Sequence, residues 1–227
     1  MKQKDRVKTM KQKMVWKIPA ILAISLSSSN VFADHSKSFD GYRIFRTNCF
    51  VCHGLDGTGN GPLAGKLETK PADLTNNDRL KKKSDRELFK IIEGKAPHGQ
   101  VSNDMPQWGL AISQTQIRSL LAYVRYLHSS KHPVSGDPQM GKQVYDNNCT
   151  ICHGPDGKGK GTITRIYDME PADHTDAINM NRMSNKKIRS IISEGTKGAK
   201  LMPGWKDILT EKETEDVISY IRLLSAH

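Results

Sequence analysis

The chain has 227 residues, 35 of them Lys or Arg and 24 Asp or Glu, for a formal charge of +11, with 36% hydrophobic and 6% aromatic residues. That length suffices for one large domain or two of about 100 residues each. Recurring apolar segments argue against disorder, no apolar run reaches the ~18 residues of a membrane span, and four Cys are too few for a disulfide scaffold in so long a chain.

Residues 1–33 read as an export signal. Seven basic residues, Lys2 to Lys17, precede an apolar stretch from Ile18 to Leu26, then Ser27-Ser28-Ser29 and Val31-Phe32-Ala33. A basic front, a short apolar middle and a small-residue exit describe a cleaved secretory signal, which sends the mature chain, from Asp34, to the periplasm. The competing reading is an uncleaved anchor, but Lys17, Pro19 and the serines leave the segment too short and too polar to span. Without this segment the charge falls from +11 to +5. Most of the basicity therefore belongs to the signal, and nucleic-acid binding loses its main support.

From residue 34 one pattern is written twice. Cys49-Phe-Val-Cys52-His53 recurs 100 residues later as Cys149-Thr-Ile-Cys152-His153. Gly41 and Phe45 pair with Gly141 and Tyr145, Gly54-x-Asp56-Gly57-x-Gly59 with Gly154-x-Asp156-Gly157-x-Gly159, and Pro71-Ala72-Asp73 with Pro171-Ala172-Asp173. After small shifts of register, Met105-Pro106-x-Trp108 pairs with Met202-Pro203-x-Trp205, and Tyr123 and Arg125 with Tyr220 and Arg222. Two units of this length suggest two similar domains, at 34–130 and 138–227, rather than a solenoid of many short repeats. The Ser-, Pro- and Gly-rich join at 131–137 reads as a linker.

Both units read as helical. Phe39, Tyr42 and Phe45 form an apolar face running into the first Cys. Ser84 with Glu87 predicts a capping box ahead of a helix carrying Leu88, Ile91 and Ile92 at helical spacing. Ile117, Leu120, Leu121, Val124 and Leu127 form a third stripe, answered by Val217, Ile218, Ile221 and Leu224. No alternating strand pattern competes. The stretch from Gly54 to Leu80 reads as loop, unusually long unless a buried group organises it.

The chemistry sits on the two C-x-x-C-H elements. Two thiols three residues apart can add to the two vinyl groups of one haem and place the adjacent imidazole at its iron, the pattern of a c-type haem attachment. A zinc site needs four ligands clustered together, whereas these Cys pairs lie about 100 residues apart. A redox dithiol wants a βαβ context that is missing. Disulfide pairing would leave the two matched His unexplained.

On these residues the mature chain resembles a class I cytochrome c, duplicated in the manner of the dihaem cytochrome c4-type proteins. The resemblance implies an all-α fold: two tandem class I cytochrome c domains, each a small helical haem envelope with its N- and C-terminal helices crossed at Gly41 or Gly141. Phe45 and Tyr145 would pack against Tyr123 and Tyr220. It implies two covalent haem c groups per chain, one held by Cys49, Cys52, His53 and Met105 and the other by Cys149, Cys152, His153 and Met202. The Met are assigned because in that family a Met-Pro pair supplies the axial sulfur, and both lie downstream of their His by 52 and 49 residues. Thioether ligation favours ferrous iron and raises the potential. His98 is a rival ligand without a counterpart in the second repeat. Met140, Met169, Met180 and Met183 read as packing residues. Pro62 is the expected carbonyl acceptor for the imidazole of His53, although Thr162 stands at the matching place.

The expected function is a periplasmic one-electron carrier between respiratory redox proteins. The alternative is a cytochrome c subunit of a dehydrogenase or oxidase complex, with peripheral membrane association. A dihaem enzyme such as a peroxidase fits less well, because Met105 and Met202 fill both sixth positions. No small-molecule substrate is expected. Arg79, Lys81, Lys82, Lys83, Arg86 and Lys90 form a basic cluster in the first repeat, suited to an acidic redox partner.

Overall fold

The computed structural model describes residues 37–75, 78–99, 101–196 and 202–225; the expected export signal lies outside them, as does the side chain of Arg79. The described residues contain helices and turns and no strand. In chain order the α-helices are α1 (Lys37–Ile44), α2 (Phe50–His53), α3 (Asp78–Lys81), α4 (Asp85–Glu93), α5 (Gln114–Ser129), α6 (Pro138–Asn148), α7 (Thr150–His153), α8 (Ala177–Arg182), α9 (Asn185–Glu194) and α10 (Glu211–Leu224). The first five answer the second five, so the repetition in sequence is a repetition in space. The expected long loop is shorter than its composition suggests, because its end winds into α3, as the matching stretch does into α8.

Each domain is built on a crossing of its first and last long helices, α1 on α5 and α6 on α10. A Cβ on Gly41 would collide with the carbonyl oxygen of Ser119, and one on Gly141 with that of Asp216. Only glycine lets the backbones approach this closely. One turn on, the ring of Phe45 meets Tyr123 and that of Tyr145 meets Tyr220, both with centroids 5.2 Å apart. Edge-on aromatic pairs of this kind add about 1 kcal/mol beyond the area they bury. Ile117, Val217 and Ile218, from the stripes on α5 and α10, are almost fully buried, each contributing roughly 1.5–3 kcal/mol.

The predicted capping box forms at α4: Ser84 accepts from the N–H of Glu87, whose carboxylate accepts from the N–H of Ser84. Ser113 with Gln116 and Thr210 with Glu213 repeat it at α5 and α10. Each cap is worth about 1 kcal/mol.

The join between the domains is pinned rather than loose. Tyr126 donates to the carbonyl of His132 at 2.9 Å, Asn185 donates to the carbonyl of Pro133 at 3.2 Å, and the N–H of Gly136 donates to Ser219 at 2.7 Å. The buried carboxylate of Asp216 accepts from the N–H of Asp137 and from Lys212. Loop composition marked the turn, but these partners, distant in sequence, hold it.

Arg125 and Arg222 each clamp their C-terminal helix to the segment ahead of α4 or α9. Arg222 donates to Asn185 and to the carbonyls of Met180 and Met183; Arg125 donates to Asp85 and to the carbonyls of Leu80 and Lys83.

Candidate functional site

The C-x-x-C-H residues occupy the same turn in both domains. In the first, the helix runs from α1 through a π-helical turn, Phe45–Cys49, into α2. In the second, α6 passes directly into α7 at Cys149. A single π-helical turn commonly marks a functional position. The chain then folds back on this turn. Gly59 N–H donates to His53 O and Gly61 N–H to Cys52 O; Gly159 N–H donates to His153 O and Gly161 N–H to Cys152 O. These backbone bonds organise a stretch that composition reads only as loop.

The fold-back carries Ala72 and Ala172 beside the two imidazoles. His53 Nδ1 lies 3.1 Å from the carbonyl oxygen of Ala72, and His153 Nδ1 lies 3.1 Å from that of Ala172. A carbonyl only accepts, so Nδ1 carries the proton and Nε2 keeps its lone pair. Burial lowers the pKa of both His, opposed by these same hydrogen bonds. Each imidazole is thus neutral, oriented and able to ligate through Nε2. The acceptor is not Pro62. Leu63 N–H donates to Val51 O, which holds residue 62 by the C-x-x-C turn, while Gly59, where a Cβ would strike the carbonyl of Pro71, draws the 71–72 segment in.

All four Cys are free. Burial, reinforced by the neighbouring Cys52 and Cys152, pushes the Cys49 and Cys149 thiols up to about 12. A reactive dithiol or a thiolate metal site needs the opposite shift. Among the described residues no group of three or more His, Cys, Asp or Glu could hold a metal ion. Two free thiols and one imidazole with Nε2 unengaged fit a porphyrin, which brings four nitrogen ligands of its own and asks the protein for axial ligands and thioether anchors.

Met105 and Met202 sit on the connections from α4 to α5 and from α9 to α10, half-buried against the core. Met105 N–H donates to Ser102 O, while Met202 N–H donates to Thr196 Oγ1 and its carbonyl accepts from Thr196 N–H. Trp108 and Trp205 also pack half-buried on the core, and Trp205 N–H donates to Ile192 O. His98 is exposed. Met180 is core, in the place Leu80 takes in the first repeat, and Met183 packs against it, whereas Met140 is 46% exposed, contrary to a packing role. It lies on α6 at the edge of the face that buries Gly141, Val144 and Tyr145. In the basic cluster, Lys81, Lys82, Arg86 and Lys90 are exposed, and Arg86 and Lys90 line a cleft of about 760 Å³ that also touches Asp156 and Lys158.

One site residue escaped sequence reasoning. His174 is buried, its ring stacked on that of His153 with centroids 4.2 Å apart and 20° between planes. Burial, and then His153, hold its pKa well below the ordinary histidine value. The available signal was the mismatch His174 against Leu74 immediately after the shared Pro-Ala-Asp.

The cytochrome c family model matches residues 39–128 and again 138–225. Among relatives, the Cbb3-type cytochrome c oxidase subunit CcoP of Cereibacter sphaeroides is 25% identical over 183 residues, 80% of this chain and 59% of that protein. Subunit FixPc of Rhizobium leguminosarum bv. viciae is 25% identical over 195 residues, 81% and 60% of the two chains. This chain thus spans about 60% of the length of these curated relatives. Among solved structures, reduced recombinant cytochrome c4 from Pseudomonas stutzeri is similar at 19% identity and a TM-score of 0.27, over 84% of this chain and 98% of that one. With its model matching two successive segments that together make up most of the chain, the cytochrome c family is the one to which this protein belongs, as two tandem domains that each bind a covalently attached haem c.

Proposed function

We propose that this chain is an exported carrier that passes single electrons between respiratory redox proteins, with His53 and Met105 ligating one iron and His153 and Met202 the other. The haem, when bound, supplies the one-electron couple. The residues do the rest. Cys49 and Cys52, or Cys149 and Cys152, anchor it as thioethers. The carbonyls of Ala72 and Ala172 fix the imidazoles through Nδ1. The crossed helices with Phe45, Tyr123, Tyr145 and Tyr220 supply a dry wall. The observation that carries this reading is the pair of matched imidazoles, each held at Nδ1 by an alanine carbonyl 3.1 Å away, which leaves Nε2 for a metal. The basic surface at Lys81 and Lys82, with Lys83 and Arg79 in the same run, receives an acidic partner.

The test is a spectroscopic redox titration of the purified holoprotein. The expected result is two haems per chain, both low-spin, with a thioether-to-iron charge-transfer band that Met105→Ala and Met202→Ala each diminish by about half. A high-spin ferric haem in the resting protein, or a band that neither substitution touches, would refute the assigned ligands.

The relatives favour a second reading, since they are named as subunits of a Cbb3-type cytochrome c oxidase. Here the same haem chemistry would work inside a complex. Isolation from native membranes under mild conditions separates the two: co-purification with an oxidase supports the subunit, recovery as a separate monomer the carrier.

A further inference from the structure

The two domains differ in one place behind the axial imidazole. In the first, Phe45 and Leu74 stand there, both apolar and buried; in the second, Tyr145 and His174. The exchange is paired. Tyr145 Oη lies 3.2 Å from His174 Nδ1, so the hydroxyl and the imidazole that replaced two apolar groups satisfy one another. The loop backbone at 74 and 174 is held alike: Leu74 N–H donates to Gly57 O at 2.7 Å, and His174 N–H donates to Gly157 O at 2.7 Å. The first domain therefore serves as an internal comparison at this point, with the same backbone acceptor for the imidazole and Phe45 and Leu74 in the places of Tyr145 and His174.

We propose that the Tyr145–His174 pair is a positioning and tuning element, which holds the haem of the second domain at a lower reduction potential than the Phe45–Leu74 arrangement would. The proposal rests on the assignment of His153 as axial ligand. Oxidation adds one positive charge to the iron centre. A polar, polarisable ring in face contact with the axial imidazole stabilises that charge better than a leucine side chain does. Because His174 is only 9% exposed and Tyr145 is fully buried, little water intervenes to screen the effect. Polarity and hydrogen bonding around an axial ligand are recognised determinants of haem potential. The stacking also restricts rotation of the His153 ring, which the alanine carbonyl holds at only one atom.

The experiment is a spectroelectrochemical titration of the full-length holoprotein, with proton NMR of the hyperfine-shifted haem methyls, for the wild type, His174→Leu, Tyr145→Phe and the double variant. Each substitution installs the residue that the first domain carries at the matching position. We expect His174→Leu to raise one of the two midpoint potentials and leave the other in place, with one haem's methyl resonances moving. Tyr145→Phe should move the same centre in the same direction by less, which keeps the idea testable should His174→Leu assemble poorly. Unchanged potentials, a downward shift, or equal shifts of both centres would overturn the proposal. Failure of the underlying assignment looks different: His153→Ala would then leave both centres with unaltered axial ligation.

Discussion

The ring of Phe39, on the first helix of one domain, stands edge-on to the ring of Tyr220, on the last helix of the other, with centroids 5.1 Å apart and 88° between planes. Tyr220 in turn meets Tyr145, so this contact joins the helix crossings of both domains. Phe39 is 3% exposed. Phe39→Ala should therefore destabilise the chain by about 3 kcal/mol, the lower end for a buried phenylalanine. Denaturant unfolding followed at each haem should resolve into two separated transitions. A single transition displaced by less than ~1 kcal/mol would show that the contact couples nothing.

The two arginine clamps should not be equally important. Both satisfy two backbone carbonyls, but Arg222 is 2% exposed and bonds Asn185, while Arg125 is half-buried and bonds Asp85, whose side chain is 72% exposed. Arg222→Met leaves buried acceptors unsatisfied and should cost about 3 kcal/mol; Arg125→Met should cost about 1 kcal/mol, since solvent can replace its bonds. Thermal unfolding of the two holoprotein variants measures both. Equal losses would contradict this account.

The capping carboxylates set an acid limit. Hydrogen bonds from the side chain and backbone of Ser84 hold Glu87 below its ordinary value of 4.5, and those from the backbone and side chain of Thr210 do the same for Glu213. A carboxylate whose folded pKa is depressed stabilises fully above its unfolded value, and this contribution disappears as pH falls through the folded one. Stability should therefore decline below about pH 4.5, as α4 and α10 lose their caps. In the variant Glu87→Gln/Glu213→Gln that part of the decline should be absent. An unaltered slope between pH 6 and 3 would place the acid sensitivity elsewhere.

Charge reversal at Lys81, the last residue of α3, and Lys82, which follows it, both exposed, should slow electron transfer to an acidic partner about tenfold at low ionic strength. The gap should close as salt is added, because exposed charges are screened over ~10 Å at 0.1 M. Stopped-flow reduction across a salt series checks this. A flat response in the wild type would remove the docking role of this surface.

Much of the molecule was legible along the chain because its signals are local. A C-x-x-C-H spacing, a glycine and an aromatic one turn apart, Ser84 three residues before Glu87, and apolar stripes at helical spacing all describe groups that meet within one helix or turn. Their recurrence marked two domains. The backbone acceptors were not legible in this way: every residue carries a carbonyl, so no side chain announces that Ala72 and Ala172, rather than Pro62, would receive the imidazole protons. The same holds for Arg222, whose partners are the carbonyls of Met180 and Met183. Only folding, which lays the 71–72 and 171–172 segments against glycines that lack a Cβ, made those choices. Chain order likewise showed a Leu-to-His mismatch at position 174 without its meaning. The three-dimensional packing turned it into an imidazole stacked on His153 and bonded to Tyr145, since contacts 21 and 29 residues apart depend on how loops close rather than on what they contain.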